Sequence, residues 1–164
     1  MNFGYSIAKE TRKQLITLWN SYSFFTTYAS LDDYSPEEHK VDYKDLSDLD
    51  KWMLARLHRL IKDSEEAYKN YDVYSVMQDI ETFLDDMSNW YIRRSRRRFW
   101  KSENDSDKWA AFQTLYKALK GLIKILAPVI PFVTEAIYQN LVRELEPNAP
   151  ESIHLCSYPE FNEN

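Results

Sequence analysis

Glycine is almost absent from this chain, because only Gly4 and Gly121 occur among its 164 residues. Two glycines cannot build a glycine-rich phosphate loop of the Walker or the dinucleotide-binding type. Their scarcity also argues against a turn-rich β-sandwich or barrel and favours long helices. Cysteine is equally rare. Cys156 stands alone, which excludes an internal disulfide and a multi-cysteine zinc site and fits a reducing compartment.

Long apolar runs are missing as well. No stretch approaches the ~20 apolar residues that a membrane-spanning helix needs, and the first residues show neither the basic nor the apolar part of a secretory signal. We therefore expect a soluble cytoplasmic protein with no membrane partner. The length suits one domain over residues 1–164, and the five Trp, twelve Tyr and eight Phe predict a packed core.

What the chain does contain is helical periodicity. Apolar residues at helical spacing predict five helices. Asp72 is the expected N-cap of the third, Asn104 to Ser106 can cap the fourth, and Pro131 is expected at the first position of the fifth. The predicted apolar stripes run over residues 15–29, 53–68, 73–91, 112–126 and 132–141. The expected fold is an all-α antiparallel helical bundle of about five helices, with an acidic loop over 31–49 and an extended tail over 152–159.

The most unusual segment follows the third stripe. Between Arg93 and Lys101 there are six cations and no anion, in a chain whose formal net charge is −5. Clustered arginines repel one another, and an anion such as phosphate relieves that repulsion. We call residues 93–101 the arginine segment. Its predicted RNA-binding cations are Arg93, Arg94, Arg96, Arg97, Arg98 and Lys101.

The periodicity makes a specific prediction about this segment. If the stripe continues in phase beyond Tyr91, its next positions are Arg94, Arg97, Arg98 and Lys101. Charges buried without partners cost several kcal/mol each. Either the third helix outruns the bundle, which we favour, or carboxylates of the same chain neutralise the arginines. In the second case, Asp85, Asp86 or the acidic loop would supply partners.

The aromatic residues around the arginines divide into two pairs. Trp90 and Tyr91 keep the buried phase and are expected in the core. Phe99 and Trp100 lie where either could stack on a base or dock on another domain. No nucleophile with an adjacent base and no set of metal ligands is visible, so we expect neither catalytic nor metal-binding residues in this chain.

The run from Asn89 to Trp100, Asn-Trp-Tyr-Ile-Arg-Arg-Ser-Arg-Arg-Arg-Phe-Trp, closely resembles a segment of isoleucyl-tRNA synthetases of the eukaryote-like type. Other segments resemble the same family in the same order. Some of them, such as Asp50-Lys51-Trp52 and the junction around Pro131-Phe132, are shared with the valyl, leucyl, cysteinyl and methionyl enzymes. The matching segments lie at 18–25, 50–57, 80–84, 126–135 and 152–155.

This resemblance implies the helical anticodon-binding domain of a class I aminoacyl-tRNA synthetase. The family's His-Ile-Gly-His and Lys-Met-Ser-Lys-Ser signatures have no counterpart here, nor does its editing domain. The fragment is thus expected to be inactive alone and to hold no cofactor, with ATP, and zinc in some members, belonging to the full-length enzyme. The implied partners are isoleucine tRNA and the catalytic domain of the same polypeptide, in a monomer.

Three alternatives stay open at this point. The arginine segment could dock on the synthetase's own catalytic domain while RNA contacts other faces, or the bundle could be a protein-interaction module unrelated to tRNA. The domain could also come from a related valyl- or leucyl-type enzyme.

Overall fold

The computed structural model describes residues 4–161, and all regular structure in that range is helical. This confirms the predicted all-α bundle. The α-helices are α1 (Tyr5–Leu31), α2 (Asp48–Lys69), α3 (Val73–Asp85), α4 (Arg93–Trp100), α5 (Ser106–Leu126) and α6 (Pro131–Tyr138). A π-helical stretch, Asp86–Ile92, joins α3 to α4, and a second one, Gln139–Arg143, extends α6.

The helices begin where the sequence places capping residues. The side chain of Asp72 accepts a hydrogen bond from the Ser75 backbone N–H at the start of α3, and Asp105 accepts one from Lys108 at the start of α5. Each bond satisfies an N–H that has no partner within its own helix. Pro131 opens α6, as predicted. All five predicted helices are present, although α1 begins at Tyr5, ten residues before its predicted apolar stripe, and α2 begins at Asp48, five residues before its own. The third predicted helix corresponds to α3, the π stretch and α4, and it differs inside.

The core is built around α5, which is buried on nearly every side. Its residues Phe112, Leu115, Leu119 and Leu122 have no exposed surface. Fifteen of its 21 residues are buried, which places α5 at the centre of the domain. On one side α2 and α3 pack together, and Arg56 of α2 lies 2.7 Å from Asp86 just beyond the end of α3. This pairing fits the antiparallel arrangement expected from the short link between the two helices.

The π stretch changes the phase of the third predicted helix. Its i→i+5 hydrogen bonds add a residue to a turn, so side chains beyond it rotate relative to a regular α-helix. The buried positions after Met87 are Tyr91, Ile92, Ser95 and Phe99. Each lies one residue beyond the position that uniform periodicity predicts. The expectation that the helix leaves its neighbours behind was wrong, because Phe99 is still 1% exposed near its end.

The long loop after α1 is irregular, as predicted, apart from a 3-10 turn at Tyr43–Asp45. It is held on α5 by Gln113, whose side-chain amide exchanges two hydrogen bonds of 2.9 Å with the backbone of Val41. The tail differs from the extended segment that we expected. A 3-10 turn, Ile153–Leu155, forms there, and Glu135 of α6 accepts hydrogen bonds from the Ser152 hydroxyl and the Ile153 N–H.

Over residues 4–161, no helix combines the length and the apolar character that crossing a membrane requires.

One close approach in the core gives a prediction. A Cβ atom added at Gly121 of α5 would lie 2.7 Å from Leu57 Cδ1 of α2, and Leu57 is itself buried. We expect Gly121→Val to lower the free energy of unfolding by about 1–3 kcal/mol, because overpacking forces side chains or helices apart. Urea unfolding measures the change. Lys117→Val, at an exposed position one turn earlier, is the control, and equal effects at both positions would contradict the predicted clash.

Candidate nucleic-acid interface

The arginine segment is divided between two environments. Arg93, Arg94, Arg96 and Arg97 of α4 are exposed, and we call these four residues the cationic ridge. In the part of the chain that the structure describes, no carboxylate forms an ion pair with any of them. The ridge therefore keeps four uncompensated positive charges on slightly more than one helical turn.

Arg98 points in the opposite direction, into the bundle. Its guanidinium donates two hydrogen bonds, of 2.8 and 2.7 Å, to the two carboxylate oxygens of Asp50. Asp50 lies at the start of α2 and has no exposed surface. Arg98 also donates a hydrogen bond of 2.8 Å to the Asp107 carbonyl oxygen. Its Nε atom lies 2.8 Å from Asp107 Oδ1, without the alignment of a hydrogen bond. The two parallel hydrogen bonds between Arg98 and Asp50 form a fork, which is a strong form of arginine–carboxylate contact.

The carboxylate of Asp50 is saturated by further donors. The Tyr91 hydroxyl donates to Oδ1 at 2.6 Å, and the Ser47 hydroxyl donates to Oδ2 at 2.6 Å. Burial raises the pKa of Asp50, but the hydrogen bonds from Arg98, Ser47 and Tyr91 outweigh it and hold that pKa below its ordinary value. Burial and the neighbouring Asp50 charge raise the pKa of Tyr91 well above its ordinary value. Asp50 is therefore ionised and Tyr91 neutral near pH 7.

Lys101 is also neutralised within the chain. Its ammonium lies 2.6 Å from Asp105 and 3.0 Å from Asp107. Desolvation lowers the pKa of Lys101, but the hydrogen bonds to Asp105 and Asp107 outweigh it and raise the pKa above its ordinary value. These contacts close the turn between α4 and α5. Lys101 thus supports that turn and contributes no free charge to the ridge.

The aromatic residues are not distributed as the sequence suggested. Phe99 packs edge-on against Phe24 of α1 and Phe112 of α5 in the core, so no base can stack on it in this structure. Trp100 is 54% exposed, which keeps it available for stacking. Tyr91 is buried as expected, but Trp90, also expected in the core, is 47% exposed.

The structure corrects the predicted RNA-binding set in three places. Arg98 and Lys101 are engaged by carboxylates of this chain, and Phe99 is a core residue. The one-residue shift introduced by the π stretch places Phe99 in the core and carries Arg94 and Arg97 out of the buried phase. Arg98 is partly buried in either phase, and among the arginines of this segment it is the one that pairs with a carboxylate of the described residues. The residues that stay at the surface are Arg93, Arg94, Arg96, Arg97 and Trp100.

The partners of Arg98 were not among the predicted site residues. Asp85 and Asp86 were considered as partners, but Asp86 pairs with Arg56 and Asp85 accepts from Asn89. Asp50 carried one local signal. A Ser-x-x-Asp capping box at 47–50 marks the start of α2, but nothing in the sequence indicates that the carboxylate also faces α4.

An acidic surface lies beside the ridge. A groove of about 540 Å³ between α1 and α3 is lined by four carboxylates, Glu10, Glu81, Asp85 and Asp86, by one cation, Lys13, and by Asn89. Arg93 follows one turn after Asn89. The formal charge therefore changes sign between this groove and the ridge, which favours an anion at the α4 end.

The fold and the ridge together define an all-α domain with a cationic helical surface in a molecule of net negative charge. Comparison with known proteins makes the assignment specific. Residues 50–164 match the family described as the anticodon-binding domain of tRNA ligase. The chain belongs to this family.

Three of its relatives are named isoleucine–tRNA ligase. The chain is 47% identical to isoleucine–tRNA ligase of Clostridium novyi (strain NT) over 161 residues, which are 98% of the chain. It is 48% identical to isoleucine–tRNA ligase of Dehalococcoides mccartyi (strain ATCC BAA-2266) over 93% of the chain, and 48% identical to that of Clostridium tetani (strain Massachusetts / E88) over 96%. The chain spans about 15% of the length of each relative. The predicted resemblance is confirmed, while the eukaryote-like subtype stays a prediction.

The Asp50–Arg98 pair gives a prediction with a defined pH dependence. Asp50→Asn should lower the free energy of unfolding at pH 7 by about 3 kcal/mol, because Arg98 then loses its buried counter-charge. The pKa of Asp50 is lowered by folding, so its stabilisation is present above the unfolded value of about 3.9 and is lost as the pH falls through the lower folded value.

The difference in free energy of unfolding between the unmodified chain and Asp50→Asn should therefore become smaller in acid. Urea unfolding at a series of pH values measures it. Asp48→Asn, at an exposed position in the same helical turn, controls for charge removal at the start of α2. A variant as stable at pH 7 as the unmodified chain would show that the pair does not stabilise the fold.

Proposed function

We propose that this chain binds the anticodon stem and loop of isoleucine tRNA through the cationic ridge and Trp100. In doing so it supports ATP-dependent aminoacylation by the longer enzyme, whose catalytic domain is its second partner. The observation that carries the proposal is the set of four exposed arginines, Arg93, Arg94, Arg96 and Arg97, which lack carboxylate partners among residues 4–161. Membership of an anticodon-binding family and relatives named isoleucine–tRNA ligase support the choice of ligand.

The charge distribution supports a phosphate ligand. With a formal net charge of −5, the molecule as a whole repels RNA, so attraction depends on the local field of the ridge. Arginine forks match phosphate oxygens in two-point hydrogen bonds. Carboxylates of the chain already bind Arg98 and Lys101. Within the arginine segment, the four ridge arginines are therefore the cations that remain for an external anion.

The first test removes charge from the first and last arginines of the ridge. We expect Arg93→Gln combined with Arg97→Gln to weaken binding of an isoleucine-tRNA anticodon stem-loop by roughly tenfold or more at low salt. The magnitude of the negative slope of log K against log salt should decrease by about 1.4–1.8, because two phosphate contacts are lost. A mobility-shift titration at several salt concentrations measures both quantities, with an anticodon-substituted stem-loop as specificity control.

A matched variant controls for net charge. Arg59→Gln combined with Lys69→Gln removes two exposed cations of α2, which pair with Asp63 and Glu65. It should change affinity less than about twofold, because these positions lie outside the ridge. Equal losses in both double variants would refute the assignment of the ridge. If the ridge variant bound RNA normally but lowered aminoacylation in the longer enzyme, the ridge would instead be a docking surface for the catalytic domain.

A further inference from the structure

Two ridge arginines lie on the rings of half-exposed tryptophans. The Arg94 guanidinium carbon is 3.8 Å from the centroid of the Trp90 ring, and that of Arg96 is 5.9 Å from the centroid of Trp100. Trp90 is 47% exposed and lies within the π stretch. In each pair the two residues are four positions apart, so the helix places the two side chains on the same face.

Stacking and ion pairing leave an arginine in different states. Arg98 is bound to Asp50 along the edge of its guanidinium, so its charge is compensated and its two Nη atoms are occupied. A guanidinium stacked on an indole keeps its full charge, and its N–H groups point sideways from the ring. The indole also restricts the rotamers of the arginine, which reduces the ordering needed when an anion binds.

We infer that Trp90 is a positioning residue that holds Arg94 as a preformed fork for an RNA phosphate. Trp100 should act on Arg96 in the same way but more weakly, because its contact is longer. This inference rests on the proposed function and deepens it, since it adds Trp90 to the site and ranks the four arginines. Arg94 should contribute more to affinity than Arg93 or Arg97, for which no aromatic contact occurs in the described residues.

The geometry favours a phosphate over a base at Trp90. Arg94 already covers one face of that ring at contact distance. A base that stacked on the same face would have to displace the guanidinium and give up the cation–π contact. A phosphate reaches the outward N–H edge without disturbing the stack. The two binding modes differ in one measurable respect. If a phosphate binds, Trp90 acts only through Arg94, whereas a stacked base would contact Trp90 directly.

A double-mutant cycle on the 164-residue chain tests this dependence, with the same stem-loop as probe. Arg94→Gln and Trp90→Leu should each weaken binding, the latter by about two- to fivefold. The combined variant should bind no more weakly than Arg94→Gln alone. Trp90→Phe should restore part of the loss, since a smaller aromatic face still supports the stack. Arg94→Gln should lower the salt slope by about 0.7–0.9, and Trp90→Leu should leave the slope unchanged because no charge is removed.

Trp19→Leu is the matched control. Trp19 is also 47% exposed, and its ring contacts Tyr22 of α1 edge-on, with no arginine over it in the described residues. It should leave RNA affinity unchanged. Thermal unfolding of every variant separates loss of fold from loss of positioning.

The outcomes separate this inference from the proposed function. Additive losses at Trp90 and Arg94 would overturn the inference and indicate independent base stacking. An unchanged affinity for Trp90→Leu, with a loss for Arg94→Gln, would overturn it as well. Either result leaves the ridge assignment intact if the Arg93 and Arg97 double variant still weakens binding. If that double variant also binds normally, the proposed function itself fails.

Discussion

The contact between Asp50 and Arg98 determines how the α4 end of the bundle is arranged. It is a two-point ion pair with a carboxylate that has no exposed surface, so α4 cannot rotate without leaving a buried charge unpaired. Side chains advance by about 100° per residue around an α-helix. With Arg98 and Phe99 turned inwards, Arg93 and Arg97 must lie on the far side. The interior ion pair therefore sets the orientation of the exterior ridge.

This arrangement divides one run of basic residues into two functional groups. Arg98 and Lys101 are neutralised by Asp50, Asp105 and Asp107 and stabilise the junction of α2, α4 and α5. The four ridge arginines are left without such partners, although the chain has more acidic than basic side chains. The acidic groove between α1 and α3 shows that carboxylates are close by but lie on another part of the surface. Fold stability and anion attraction thus depend on different members of the same segment.

The sequence was sufficient for the helices and for the location of the cationic surface, but not for its phase. Apolar spacing and the capping residues Asp72 and Pro131 depend on local chemistry that a sequence displays. The π stretch has no comparable local signature, because its extra residue is stabilised by packing among several helices. Because the π stretch adds one residue to a turn, Ile92 is buried in the core and Trp90, which was expected there, is exposed. The prediction of an overhanging helix followed from the same error, since Phe99 occupies the position that uniform periodicity assigned to Arg98.

The size of the ridge limits what it can do alone. From Arg93 to Arg97 the helix rises by about 6 Å, and one strand of a duplex carries a phosphate about every 3.4 Å of axis. The ridge is therefore short and reaches only a few successive phosphates of a strand. Contacts with so few phosphates, opposed by the acidic remainder of the molecule, give modest affinity. On the proposed function, a ridge of this size on a chain that spans about 15% of its relatives' length is suited to fix the register of one segment of RNA. Preordered arginines matter more under that condition, because each contact has to form with little loss of side-chain freedom.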